Sequence, residues 1–205
     1  LHKRLQIAKE ECRKRNDLAR ATQADHYLRS NKNRKLEEAA ARVFSREEVP
    51  SGTVQILKSN AMLVDYTAVQ LQFLYPPHRD SSGFSQADKK RLFDWERELI
   101  QKLAQNSFEN FVMISPLPLR QGLLLFAWGL NRARYEERLS AFWQKVSSIS
   151  RNVTGMDLCL LTSDVFSGEQ ELTQCQQQIF ALRRYYYCYG GAFIHHSEIP
   201  EFKNK

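Results

Sequence analysis

The chain has 205 residues, of which 42% are hydrophobic, enough for one sizeable core with an appendage. No apolar run is long enough to span a bilayer, and Leu1 to Gln6 has no signal-peptide apolar core behind it, which argues against an integral membrane or secreted class. The net charge of +7 is uneven, with 12 Lys/Arg against 6 Asp/Glu in residues 1–42 and 18 against 17 in the remainder.

The basic character therefore belongs to an amino-terminal arm, and the body is near neutral. Such an arm can hold phosphate backbones or can be a solvated helix face. Neither aromatic interleaving nor a nucleic-acid motif supports the first reading. Cys12, Cys159, Cys175 and Cys188 form no CxxC pair. They read as reduced thiols of a cytoplasmic protein, with a structural disulfide or a metal site as alternatives. With no initiator Met, the chain reads as a piece of a longer protein.

Residues 1–30 lack proline and glycine and are rich in Lys, Arg, Glu, Gln and Ala, which predicts a long basic helix. A heptad frame places Leu5, Cys12, Ala19 and His26 on one seam position and Leu1, Ala8, Arg15 and Thr22 on the other. Leu1, Leu5, Ala8, Cys12 and Ala19 are the candidate dimer contacts of this weak coiled coil, so a homodimer is expected. Residues 31–63 form a helical lead-in. One helix spans Arg34–Phe44, with Leu36, Ala40 and Val43/Phe44 on one side. Ser45 and Glu48 resemble a capping box, Pro50–Gly52 is a turn, and a short helix covers Thr53–Met62.

The body is expected over 64–199. Tyr66–Tyr75 is a strand whose Val69, Leu71, Phe73 and Tyr75 face the core and whose Gln70 and Gln72 lie on a partly wet face. Pro76-Pro77 ends it. Ser85 caps a helix running to Gln105 with Leu92, Trp95, Leu99, Ile100 and Leu103 as its stripe, and with Asp94, Glu96 and Glu98 on a solvated face.

The most apolar stretch follows, two strands at Phe111–Ser115 and Leu123–Trp128 joined at Pro116–Gly122. Arg134–Ser150 is a helix with Tyr135, Leu139, Phe142, Val146 and Ile149 inward. Asn152–Gly155 turns the chain into a strand at Met156–Thr162. Gly168–Tyr187 is a helix packing through Leu172, Cys175, Ile179 and Leu182. Gly190-Gly191 ends it, Ala192–His195 is a last strand, and 200–205 is an exit segment.

Strand, helix, two strands, helix, strand is the split βαβ arrangement. The expected class is thus α+β, a ferredoxin-like or cyclase-like βαββαβ sheet with helices, preceded by the long amino-terminal helix.

Two stretches carry a family resemblance. Gln174–Ile199, with Ala181, Tyr185-Tyr186-Tyr187, Gly190 and Ile194 in that order, resembles the segment before the DNA-binding domain in bacterial AraC-type response regulators of the YesN kind. The amino-terminal helix is similar to the helix leaving a phosphoacceptor receiver domain, and the body between is similar in layout to a degenerate diguanylate cyclase (GGDEF-like) domain. The resemblance implies a cytoplasmic linker between a receiver and a pair of helix-turn-helix units. DNA would be read only by that absent carboxy-terminal domain, and no membrane partner is implied.

A working cyclase of this layout needs carboxylates to hold Mg²⁺, one at the end of the first strand and others at the hairpin tip. Here the strand ends Phe73–Pro77 and the tip reads Pro118–Leu123, all without an acid. We therefore expect no catalytic residue, no metal and no cofactor. Arg120 and Gln121 remain candidate contacts for a phosphate or an acidic partner, against the reading of a solvated turn. Tyr185 and Tyr186 belong to a cluster that either lines an aromatic ligand pocket or covers the core. His195 and His196, as strand neighbours, should point to opposite faces and so not share an ion.

The expected function is a non-enzymatic regulatory linker. The alternatives are a small-ligand sensor, and an enzyme for which no constellation of residues speaks.

Overall fold

The computed structural model describes residues 31–45, 49–74, 86–115, 122–155, 157–183 and 193–198. The chain divides into two compact units, Leu1–Leu36 and Glu37–Lys205. In the first, residues 31–36 are helical.

In the second unit, helix α1 covers 37–45 and buries Ala39, Ala40, Val43 and Phe44, a stripe at helical spacing. Ser45 is itself helical, and Ser51 and Gly52 open helix α2, Ser51–Ser59, rather than forming a turn. Pro50 stands at the α2 N-cap with φ −65° and ψ 137°, and its carbonyl accepts from the N–H groups of Thr53 and Val54. A proline is tolerated at a helix start because its fixed φ suits the entry and its missing donor is not needed there.

Strand β1 is Thr67–Leu74, α3 is Gln86–Gln105, β2 is Asn110–Ile114 and β3 is Gly122–Trp128. Helix α4, Arg132–Thr154, starts two residues earlier than its apolar period indicates, because the Asn131 side chain accepts from the Ala133 N–H at 3.1 Å and caps the helix. It also runs through Asn152–Thr154, where the sequence suggests a turn, and stops at Gly155 with φ 65°. That left-handed conformation is cheap only for glycine. Strand β4 is Asp157–Thr162, α5 is Leu172–Leu182, β5 is Phe193–His195, and His196–Glu198 is a short 3-10 helix. Helix α5 starts four residues later than expected. Gly168 instead sits at φ +94° and donates its N–H to Leu63 O at 2.8 Å, tying the loop to the α2–β1 connection.

The class is α+β. The strands are ordered β2-β3-β1-β4-β5. β1 runs antiparallel to both β3 and β4, β2 is antiparallel to β3, and β5 is parallel to β4. The first four strands with α3 and α4 are the split βαββαβ layout, and α5 with β5 adds a further strand at the edge.

One face of the sheet packs Val69, Leu71, Leu123, Leu125, Leu158 and Leu160 against Ile100 and Ala104 of α3 and Tyr135, Leu139, Phe142 and Val146 of α4. Period-2 alternation sends Ala68, Gln70 and Gln72 to the other face, where Phe44 of α1 meets Phe126 of β3 with ring centroids 6.0 Å apart. That second face is not wet. Gln70 and Gln72 are 1% and 2% exposed, and α5 packs against β1.

Two α3 assignments also change. Its buried line is Glu96, Ile100 and Ala104, spaced by four, so Glu96 leaves the solvated face. Trp95, one position round the helix, is 39% exposed. Among the described residues no helix is long and apolar enough to cross a membrane.

Candidate functional site

The polar groups that the sheet and α5 bring together lie at the carboxy-terminal half of α5. Gln70 and Gln72 project side by side from β1, the strand paired on both of its edges. The Gln70 Nε2 lies 3.4 Å from Gln72 Oε1, and Gln70 Oε1 accepts from Arg183 Nε at 2.5 Å. The Arg183 guanidinium lies over the Phe180 ring, 5.0 Å from its centroid. Its Nη2 is shielded from solvent and has no hydrogen-bond acceptor among the described residues. Burial pulls the Arg183 pKa down to about 10. Gly122 completes the cluster: a Cβ there would lie 2.8 Å from Gln72 Oε1 and 2.9 Å from Leu71 O, so only a bare backbone fits.

Helix α5 carries two further buried carboxamides, Gln176 and Gln178, 1% and 5% exposed. Gln176 Nε2 donates to the carbonyl of Val43 in α1. Gln178 donates through Nε2 to Asp164 Oδ2 at 2.6 Å and accepts the Asp164 N–H through Oε1 at 2.8 Å. The same carboxylate faces both histidines of the last strand, with His195 Nδ1 3.7 Å from Oδ1 and His196 Nδ1 3.7 Å from Oδ2. The expectation that these imidazoles diverge is therefore corrected. Strand β5 ends at His195, His196 opens the 3-10 helix, and strand alternation no longer applies. Burial lowers the His196 pKa, while Asp164 acts against that shift. Ser197 also holds His195, its Oγ lying 2.6 Å from Nδ1. Among the described residues no group of three or more His, Cys, Asp or Glu has an arrangement that could hold a metal ion.

A hydroxyl cluster crosses the end of the sheet. Tyr135 Oη lies 2.7 Å from Thr162 Oγ1 and 3.2 Å from Thr67 Oγ1. Thr67 Oγ1 lies 3.1 Å from Ser163 Oγ, which lies 3.5 Å from Cys175 Sγ. Burial pushes the Tyr135 phenol and the Cys175 thiol each up to about 12. Both are neutral at physiological pH, so Cys175 is a packed thiol and not a nucleophile. Glu96, whose Oε1 has no hydrogen-bond partner among the described residues, is pushed up to about 7 by burial.

Arg120, Gln121, Tyr185 and Tyr186, together with Leu1, Leu5, Ala8, Cys12 and Ala19, lie outside the described residues. The four buried glutamines, Gln70, Gln72, Gln176 and Gln178, are the residues whose burial the sequence hides. Gln70 and Gln72 alternate with apolar residues as a solvated strand face does, and Gln176 and Gln178 sit in a glutamine run that resembles a helix surface.

No family model and no curated protein matches the chain. Among solved structures it is similar to the Vibrio cholerae LapD S helix-GGDEF-EAL protein bound to c-di-GMP, at 10% identity and a TM-score of 0.34, over 83% of this chain and 41% of that one. The chain thus spans about two fifths of that protein's length.

Proposed function

We propose that the chain is a non-enzymatic regulatory linker of a cytoplasmic bacterial response regulator, similar in layout to a degenerate GGDEF-like domain. It carries a change from a phosphorylated receiver to an AraC-type helix-turn-helix domain. The observation that supports this reading is the chemistry of β1. The polar residues it buries on the α5 face are carboxamides, Gln70 and Gln72, and the charged neighbour of Gln70 is the cation Arg183. Two-metal chemistry at phosphates needs carboxylate oxygens at the end of that strand. The guanidinium bound to Gln70 repels a cation, and neither carboxamide is a general base.

In this reading the basic helix around Leu1, Leu5, Ala8, Cys12 and Ala19 pairs two copies, and a change in that pairing biases two states of the body. DNA is touched only by the further domain. The test is light scattering on the chain and on the same chain lacking residues 1–29. A self-associating parent and a weaker-associating truncation support the linker, and a monomer in both cases overturns it.

A second reading, a small-ligand sensor, draws on Arg183, whose buried Nη2 lacks, among the described residues, an acceptor that an anionic ligand would supply. Calorimetry with nucleotides and a metabolite panel separates the two. Micromolar binding that weakens in Arg183→Ala or Arg120→Ala favours the sensor.

A further inference from the structure

We infer that helix α5 is a two-sided coupling bar, its Gln176 holding the entering helix α1 and its Gln178 holding the Asp164–histidine corner at the exit, so that displacing one side moves the other. The inference rests on the regulatory reading above and names the element that carries the change.

Residues two apart on a helix emerge roughly 200° round its axis. Gln176 and Gln178 therefore leave α5 on nearly opposite sides, one toward Val43 and the other toward Asp164. Glutamine in the middle of a helix would ordinarily face water, but these two are 1% and 5% exposed. Water cannot readily replace a bond broken in such a place, so each contact is kept or lost as a unit.

Between them Leu172, Cys175, Ile179 and Leu182 are fully buried and bind α5 to the sheet as one body. Packed elements of this kind shift as rigid pieces and do not deform continuously. A change at the α1 end must therefore break the Gln176–Val43 bond or drag α5 with it. Dragging α5 moves the Gln178 carboxamide, which holds Asp164 at both its backbone N–H and its carboxylate. Asp164 is the group that both His195 and His196 face, and His195 is the last residue of the strand by which the chain leaves the sheet. The path from helix to exit is continuous in hydrogen bonds and packed side chains, which coupling requires.

The experiment is residue-resolved hydrogen exchange on the full chain carrying Gln176→Met, which keeps side-chain length and removes the donor. Exposed Gln177→Met is the control. Gln176→Met is expected to speed exchange at Phe193–His195 by at least about fivefold, the lower end of ordinary coupling between sites. It should also shift the imidazole resonances of His195 and His196, while Gln177→Met does neither. Because coupling is reciprocal, Gln178→Met should speed exchange at residues 40–44.

Faster exchange at 40–44 alone in Gln176→Met overturns the inference. So does a uniform acceleration of every slow amide, which reports a loss of global stability. Should Gln176→Met not fold, the reciprocal variant decides by the same two criteria. None of these readouts needs self-association, so a failed coupling and a failed linker reading are told apart.

Discussion

Arg183, one residue past the end of α5, donates its Nε to Gln70 Oε1 on the central strand at 2.5 Å. The cation is half-buried, and among the described residues its partner is an amide, not a counter-charge. Removing a partner from such a pair leaves the other stranded, whereas replacing both with apolar groups is often neutral or better. Arg183→Met alone should cost about 1–3 kcal/mol by leaving Gln70 Oε1 unsatisfied. Arg183→Met with Gln70→Leu should recover most of that loss. Urea midpoints at constant m-value measure both.

Glu96 sets a pH dependence. Its folded pKa is raised from 4.5 to about 7 by burial. A group raised on folding contributes stability that is fully present below its unfolded value and lost as pH rises through its folded value. Stability should therefore fall between about pH 4.5 and pH 7, by on the order of 2–3 kcal/mol. Glu96→Gln should flatten that slope and leave the variant more stable than the parent at pH 8. Denaturation curves at pH 5 and pH 8 give the comparison.

Only part of this was legible in advance. The strands and helices of the sheet are readable because their apolar periods are strong. Val69, Leu71, Leu139, Phe142 and Val146 all lie where period 2 or 3.6 puts them. The buried polar residues were not readable, and for one reason. Periodicity assigns a face from hydrophobicity alone, so an amide or acid at a core position is assigned to solvent. Gln70 and Gln72 are buried where α5 packs against β1, a tertiary event that nothing local to 66–75 encodes. Glu96 is buried because α3 sets residues 96, 100 and 104 toward the sheet, which leaves the larger Trp95 at the margin.

Gly122 is fixed by space. Alanine there would push its Cβ to 2.8 Å from Gln72 Oε1 and 2.9 Å from Leu71 O. A side-chain end can turn away, but a strand carbonyl cannot. Gly122→Ala should cost about 1–3 kcal/mol, and Gln72→Ala in the same chain should relieve only part of it. Thermal melts of the three variants test the ordering.

Tyr135→Phe removes a phenol that sits between Thr162 and Thr67 at 2.7 and 3.2 Å. The loss should be about 1–2 kcal/mol, with the fold unchanged by circular dichroism. The neighbouring Cys175 and the buried Cys159 should resist a thiol reagent in the native chain and react on unfolding. Mass spectrometry of the labelled cysteines reads this directly.

The place of β1 in the sheet bears on how the protein is made. Of the described strands of this sheet it is the first to be synthesised, and both of its neighbours, β3 and β4, come later in the chain. Thr67–Leu74 must wait unpaired on one edge until Ala127 has been synthesised, and on the other until Thr162 has been. An exposed strand of this kind is a template for the wrong partner. The same pairing scheme that buries the central strand once folded leaves its edges open during that interval, and variants that slow β4 formation should reduce soluble yield more than their effect on equilibrium stability accounts for.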